Sequence, residues 1–115
     1  DEAVTTLQFA PNDETLLVAA GAKVRVWRVP GGQQAISPMD VGSGWISSAR
    51  ISPDGSQIVT GTNDPRLDLW DARTGRHVAS LEVGGGGGLR HLQFSPDGKL
   101  VTASIETDVV LWEVE

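Results

Sequence analysis

Apolar positions along the chain fall in short runs that recur with a single period. Val4, Leu7 and Phe9 precede Pro11; Ile46, Ala49 and Ile51 precede Pro53; Leu89, Leu92 and Phe94 precede Pro96. In each set the last two apolar residues flank one polar residue, the alternation of a half-buried strand. Each run then enters Pro-Asn-Asp or Pro-Asp-Gly, where proline presets φ, aspartate bonds back to the backbone and glycine admits positive φ. The prediction is strand, tight turn, strand. The second strands are read at 16–19, 58–61 and 100–103. Third strands follow at 23–27, 66–70 and 108–112, each ending on a tryptophan, and the first two alternate cleanly. Fourth strands are predicted at 34–36 and 77–83, the second with the stronger pattern.

The repeat length is fixed by two independent residue types. Trp27, Trp70 and Trp112 are spaced by 70 − 27 = 43 and 112 − 70 = 42; Pro11, Pro53 and Pro96 by 42 and 43. A self-similar unit of four short strands with this period is the signature of a propeller blade. Ser52-Pro53-Asp54-Gly55, Ser95-Pro96-Asp97-Gly98 and Leu69-Trp70-Asp71 resemble the WD-repeat family, and the likeness covers essentially the whole chain. Trp27-Arg28 and Trp112-Glu113 keep the tryptophan only. The resemblance implies an all-β fold of β-propeller blades, four-stranded antiparallel sheets in three repeats. Blade one spans about 3–43, blade two about 44–87, and blade three about 88–115, lacking its outer strand. Propellers close with about 4–8 blades. Three blades therefore imply part of a larger propeller, a self-assembling unit, or an excised or designed fragment that swaps strands.

The resemblance also implies a buried polar relay in each blade: a histidine before the first strand, a hydroxyl on the second, an aspartate in the next loop, and the tryptophan indole. The middle blade has Thr60, Asp64 and Trp70 at the matching offsets. The third has Thr102 and Trp112, with Glu106 in place of aspartate. The first has Trp27, with Gly21 at the aspartate offset. The histidine is absent throughout; its places are taken by Val41-Gly42-Ser43-Gly44-Trp45 and by the run from Gly84 to Gly88. That glycine run is either a natural inter-blade loop or an inserted flexible linker. A working relay implies that Asp64→Ala destabilises more than Asp71→Ala.

Composition narrows the partners. The 115 residues carry 15 acidic and 9 basic side chains, a formal charge of −6, with no Lys/Arg run. A nucleic-acid partner is therefore not expected, since binding it needs a basic patch. No apolar run approaches the roughly 20 residues that span a bilayer, so no membrane partner is expected, and Asp-Glu-Ala-Val at the start is unlike a signal peptide. There is no cysteine, which removes disulfides, thiolate metal sites and cysteine nucleophiles and fits a cytoplasmic setting.

Catalytic signatures are thin. His77 reads as an exposed strand residue and His91 as a half-buried one between blades. No spacing suggests zinc, no serine sits in Gly-x-Ser-x-Gly, and the glycine run lacks the Lys-Ser/Thr of a phosphate loop. Asp54 and Asp97 are explained by their turns. The chain is thus expected to be no enzyme, with no catalytic, metal or cofactor residues. Trp45 stands outside the repeated tryptophan position, in a loop before the first strand of blade two, and either packs between blades or anchors a partner. By family position, Asn63 and Ile105 join it as candidate partner-binding residues. The resulting expectation is a non-catalytic scaffold binding protein or peptide partners on the loop-bearing face, with further blades from the same or another chain. The alternatives are a purely architectural module and a regulatory region of a larger multidomain enzyme.

Overall fold

The computed structural model describes residues 4–9, 15–28, 32–33, 38–42, 45–63, 66–83, 89–105 and 108–113. Among them run eleven strands: β1 (Val4–Phe9), β2 (Thr15–Ala20), β3 (Lys23–Arg28), β4 (Met39–Asp40), β5 (Ile46–Ile51), β6 (Gln57–Thr62), β7 (Arg66–Asp71), β8 (His77–Glu82), β9 (Arg90–Phe94), β10 (Leu100–Ile105) and β11 (Asp108–Glu113). They form three antiparallel meanders in sequence order: β1-β2-β3-β4, β5-β6-β7-β8 and β9-β10-β11. The fold is all-β, with propeller blades as the unit. The described part of the fourth strand of the first sheet is Met39–Asp40; the predicted 34–36 lies outside the described residues.

The turns form as their residues dictate. Gly55 and Gly98 adopt φ of 78° and 76°, and each amide donates to the carbonyl three residues back, on Ser52 and Ser95, at 2.9 Å. The Ser52 hydroxyl donates to Asp54 Oδ1 (2.7 Å) and accepts from the Gln57 amide (3.0 Å); Ser95, Asp97 and Leu100 repeat the pattern at 2.6 and 3.0 Å. The Ser52 bond, with further donation from the amide and hydroxyl of Ser56, lowers the Asp54 carboxyl to about 2. Asp97 is lowered too, chiefly by Ser95.

Strand alternation divides the middle sheet between two cores. Ile58 and Trp70 face the first sheet and pack with Leu17, Ala19, Val24, Val26 and Met39. Val59, Leu67 and Leu69 face the third and pack with Leu89, Leu92, Phe94 and Val101. The innermost strands β1, β5 and β9 lie next to one another, as blades around an axis require. Close approach is possible because Gly61 has no side chain; a Cβ there would stand 3.0 Å from the Leu89 Cβ. Main-chain bonds tie the blades in series: the Ile46 amide donates to Gly21 O at 2.7 Å and the Leu89 amide to Thr62 O at 3.3 Å.

The strand pairing makes repeat positions comparable. Leu16, Ile58 and Val101 pair with Trp27, Trp70 and Trp112 respectively. Counting from these pairs, Leu7 and Phe9 correspond to Ala49 and Ile51 and to Leu92 and Phe94. Val109 and Leu111 correspond to Leu67 and Leu69. The inner members of both sets are buried, whereas Leu7, Phe9, Val109 and Leu111 are 65%, 58%, 71% and 64% exposed. A position is buried where a neighbouring sheet covers it and exposed on the outer face of the first or third sheet.

Candidate functional site

Among the described residues, a network of side-chain hydrogen bonds runs through the middle sheet. Arg66, Asp68 and Trp70 alternate with Leu67 and Leu69 along β7, so all three face the first sheet. The Trp70 indole donates to Thr60 Oγ1 at 3.1 Å, both side chains being buried. Asp68, also buried, accepts from Arg66 Nε through Oδ2 at 2.9 Å, and its Oδ1 lies 3.0 Å from His77 Nε2. The His77 ring meets the Trp70 indole edge-on, with centroids 4.9 Å apart. His77 is therefore engaged on one side, although its side chain is 44% exposed.

Asp64 and Glu106 of the expected relay lie outside the described residues; the aspartate seen in the network is Asp68, two residues before Trp70 on the same face. Thr102 is not the counterpart of Thr60. It pairs with Leu111, whereas Trp112 pairs with Val101, so the hydroxyl and the indole point to opposite faces. A one-residue shift in a strand moves every side chain to the other face. Trp27 is half-buried and paired with Leu16; the place of the Thr60 hydroxyl is taken in its blade by Val18 and in the third by Ala103. Neither offers an acceptor.

The network reaches the loop that carries Trp45. Arg66 Nη2 donates to Val41 O at 2.5 Å, and Val41 N donates to Ala22 O at 2.9 Å. Gly42 takes φ of 91°, and its amide donates to Asp40 Oδ1 at 2.8 Å. Trp45 is then held on both main-chain sides by one residue: its N–H donates to Asn63 Oδ1 at 2.6 Å and its carbonyl accepts from the Asn63 amide at 3.0 Å. The indole of this clamped residue is 58% exposed. Packing between blades, the alternative for Trp45, is not what the structure shows. Trp45 and Asn63 come together at the end of the sheets where β5 begins and β6 ends. Ile105 does not join them as an exposed residue. It occupies the Thr62 position on β10 and is buried in the second core, because the β10–β11 connection is one residue shorter than β6–β7. His91, expected to be half-buried, is exposed.

The residues missed by sequence reasoning are Arg66, Asp68 and His77. Their signal was present in the β7 alternation, which puts Asp68 on the buried face of Trp70. Among the described residues no group of three or more His, Cys, Asp or Glu could hold a metal ion, and no helix is long and apolar enough to cross a membrane.

The family described as WD domain, G-beta repeat matches this chain at residues 37–71 and 75–113, well over half its length. Over 116 residues the chain is 29% identical to the small ribosomal subunit protein RACK1 of Caenorhabditis elegans, covering 97% of this chain and 34% of the relative. Over 115 residues it is 27% identical to the small ribosomal subunit protein RACK1y of Oryza sativa subsp. japonica, covering 97% and 33%. The chain thus spans about a third of the length of these relatives.

Proposed function

The chain belongs to the WD-repeat family, and from that premise we propose that it is a non-catalytic interaction scaffold whose docking ledge is built on Trp45 and Asn63. One observation carries this reading: Trp45 is an exposed aromatic on an immobilised backbone. Ordering a contact residue on binding costs free energy, and a residue already held in place avoids most of that cost. Tryptophan is also among the side chains most enriched at the energetic centres of interfaces. The partner class is protein or peptide. Excluding nucleic acid rests on charge alone, and the cytoplasmic setting on the lack of cysteine.

The test compares wild type with Trp45→Ala, both carrying a photo-crosslinker at the exposed Asp40 and both expressed in the cells of origin. Trp45→Ala is expected to fold normally, because the side chain lies largely in solvent. It should also lose its crosslinked partner, by at least about 2 kcal/mol of affinity if Trp45 is the anchor. An unchanged set of crosslinked proteins would remove Trp45 and the ledge from the account.

A second reading is architectural, and the exposed Leu7, Phe9, Val109 and Leu111 favour it. Each occupies a repeat position that another blade covers elsewhere in the chain. Further blades, from the same polypeptide or another, are the occupants these faces fit. Both readings can hold together, since the flanks and the loop end are different surfaces.

A further inference from the structure

Strand β5 leads from the Trp45 end of the sheets to Ser52 and Pro53 at the other, and towards that far end the inner strands border an open cavity of about 480 Å³. Gln8 of β1, Arg50 of β5, and His91 and Gln93 of β9 supply its polar lining. This volume lies within the range of small-ligand sites.

The lining has a consistent chemistry. In a chain of formal charge −6, no lining residue is acidic. Gln8 Oε1 already accepts from the Ile51 amide at 3.2 Å, which leaves the Gln8 NH₂ to donate. Arg50 Nη1 donates to Ala49 O at 3.0 Å, and one such bond uses a single N–H of the five that a guanidinium carries. Ser52 is spent on its own turn, donating to Asp54; that carboxylate is itself taken up by Ser52 and Ser56. Ile51 and Phe94 add apolar wall. The remaining capacity includes the Gln8 and Gln93 NH₂ groups and the unused Arg50 N–H groups as donors around one permanent cation, beside acceptors on Gln93 Oε1 and one His91 ring nitrogen.

His91 adds an independent sign. It is the only described non-glycine residue at positive φ, at 55°, in the irregular stretch where the β9–β10 register shifts. An imidazole is held there in a conformation that glycine would adopt without strain, with its side chain exposed to the cavity.

We propose that the cavity between the inner strands, lined by Gln8, Arg50, His91 and Gln93, binds an oxyanion, a carboxylate or a phosphate carried on an acidic or phosphorylated side chain. Arg50 supplies the charge and the planar fork that matches such groups. The two glutamine amides complete the donors, and His91 closes the side nearest β9.

The test is an NMR titration of the 115-residue chain with three probes: inorganic phosphate, N-acetyl-glutamate methylamide and N-acetyl-phosphoserine methylamide. Saturable shifts are expected at the Arg50 Nε–H, the Gln8 and Gln93 side-chain amides and the His91 ring. A preference between the last two probes identifies which source of oxyanion the site takes. Arg50→Gln should weaken binding roughly tenfold, as for loss of a charge-assisted pair, with Arg50→Lys in between. His91→Gly should weaken binding while leaving the melting temperature unchanged or higher, an outcome that a structural role for His91 would not produce. Trp45→Ala should bind all three probes as wild type does, which separates this site from the docking ledge. Non-saturating shifts with every probe, wild-type affinity in Arg50→Gln or His91→Gly, or loss of binding in Trp45→Ala would each overturn the proposal.

Discussion

Thr60→Val and Thr102→Val are matched changes at residues that stand at the same distance from a blade tryptophan, 70 − 60 = 10 and 112 − 102 = 10. The structure separates them. Thr60 is fully buried and accepts the Trp70 indole N–H at 3.1 Å. Valine has nearly the same shape, so the substitution deletes the acceptor without opening a cavity and leaves a buried donor unpaired, at a cost of about 1–3 kcal/mol. At this chain length each kcal/mol lowers the melting temperature by roughly 4 °C, so a fall of about 4–12 °C is expected. Thr102 lies on the face opposite Trp112, half-buried and opposite Leu111. Its replacement by valine should stay within about 0.5 kcal/mol. Urea denaturation of the two variants, with m unchanged so that midpoints report stability, reads the difference directly. Equal losses would refute the register argument and restore a relay in the third blade.

Three further outcomes follow from the same geometry. Leu69→Ala should cost about 2–5 kcal/mol, because it empties a core position, whereas Leu111→Ala, at the same repeat position but exposed, should stay within about 0.5 kcal/mol; denaturant midpoints decide. Asp68→Ala strips the carboxylate from a part-buried Arg66 and a half-exposed His77. Breaking a fully buried pair costs about 3–5 kcal/mol, so about 2–4 kcal/mol is expected here, with faster amide exchange at Val41 and Gly42 as Arg66 loosens its hold on Val41. Asp54 has its carboxyl lowered from 3.8 to about 2 in the folded chain. Its contribution is therefore present above about pH 4 and is lost as the pH falls from 4 towards 2. Acid unfolding followed by circular dichroism should show a shallower decline in that window for Asp54→Asn.

Sheet membership and strand order were legible because they depend on period, and period survives substitution. Proline-led turns and strand-ending tryptophans mark the repeat at two points, and these fixed ten of the eleven strands to within a residue or two. The fourth strand of the first sheet was read at 34–36, which lies outside the described residues; its described part, Met39–Asp40, is too short to show alternation. The errors at Thr102 and Ile105 share one cause. The connection between β6 and β7 holds three residues (63–65) and that between β10 and β11 holds two (106–107). Counting back from the tryptophan across loops of unequal length lands on the wrong face, whereas counting forward from Ser52 and Ser95 across identical hairpins lands on the right one. Arg66, Asp68 and His77 were missed because an expected pattern directed attention to the loop at Asp64. The face they share with Trp70 was already written in the alternation of β7.

That network also explains why an incomplete-looking relay suffices. Trp27 and Trp112 are half-buried, so their indoles are not fully withdrawn from water, and Val18 and Ala103 stand where the Thr60 hydroxyl would be. Trp112 also packs against the second core yet stays half-buried; of the three, only Trp70 is withdrawn enough to need an internal acceptor. Hydrogen bonding thus follows burial. By the same reasoning, a blade laid against the Leu7–Phe9 face would desolvate Trp27, and the incoming sheet would have to offer the acceptor or leave the indole a route to water. The polar demands of an added blade are set by the tryptophan it covers. Its apolar gain comes from Leu7 and Phe9, at roughly 1.5–3 kcal/mol for each large side chain fully buried. Association at the flanks is therefore selective for a partner that meets both conditions; for Trp70 the first sheet supplies the apolar cover and Thr60 of its own sheet supplies the acceptor.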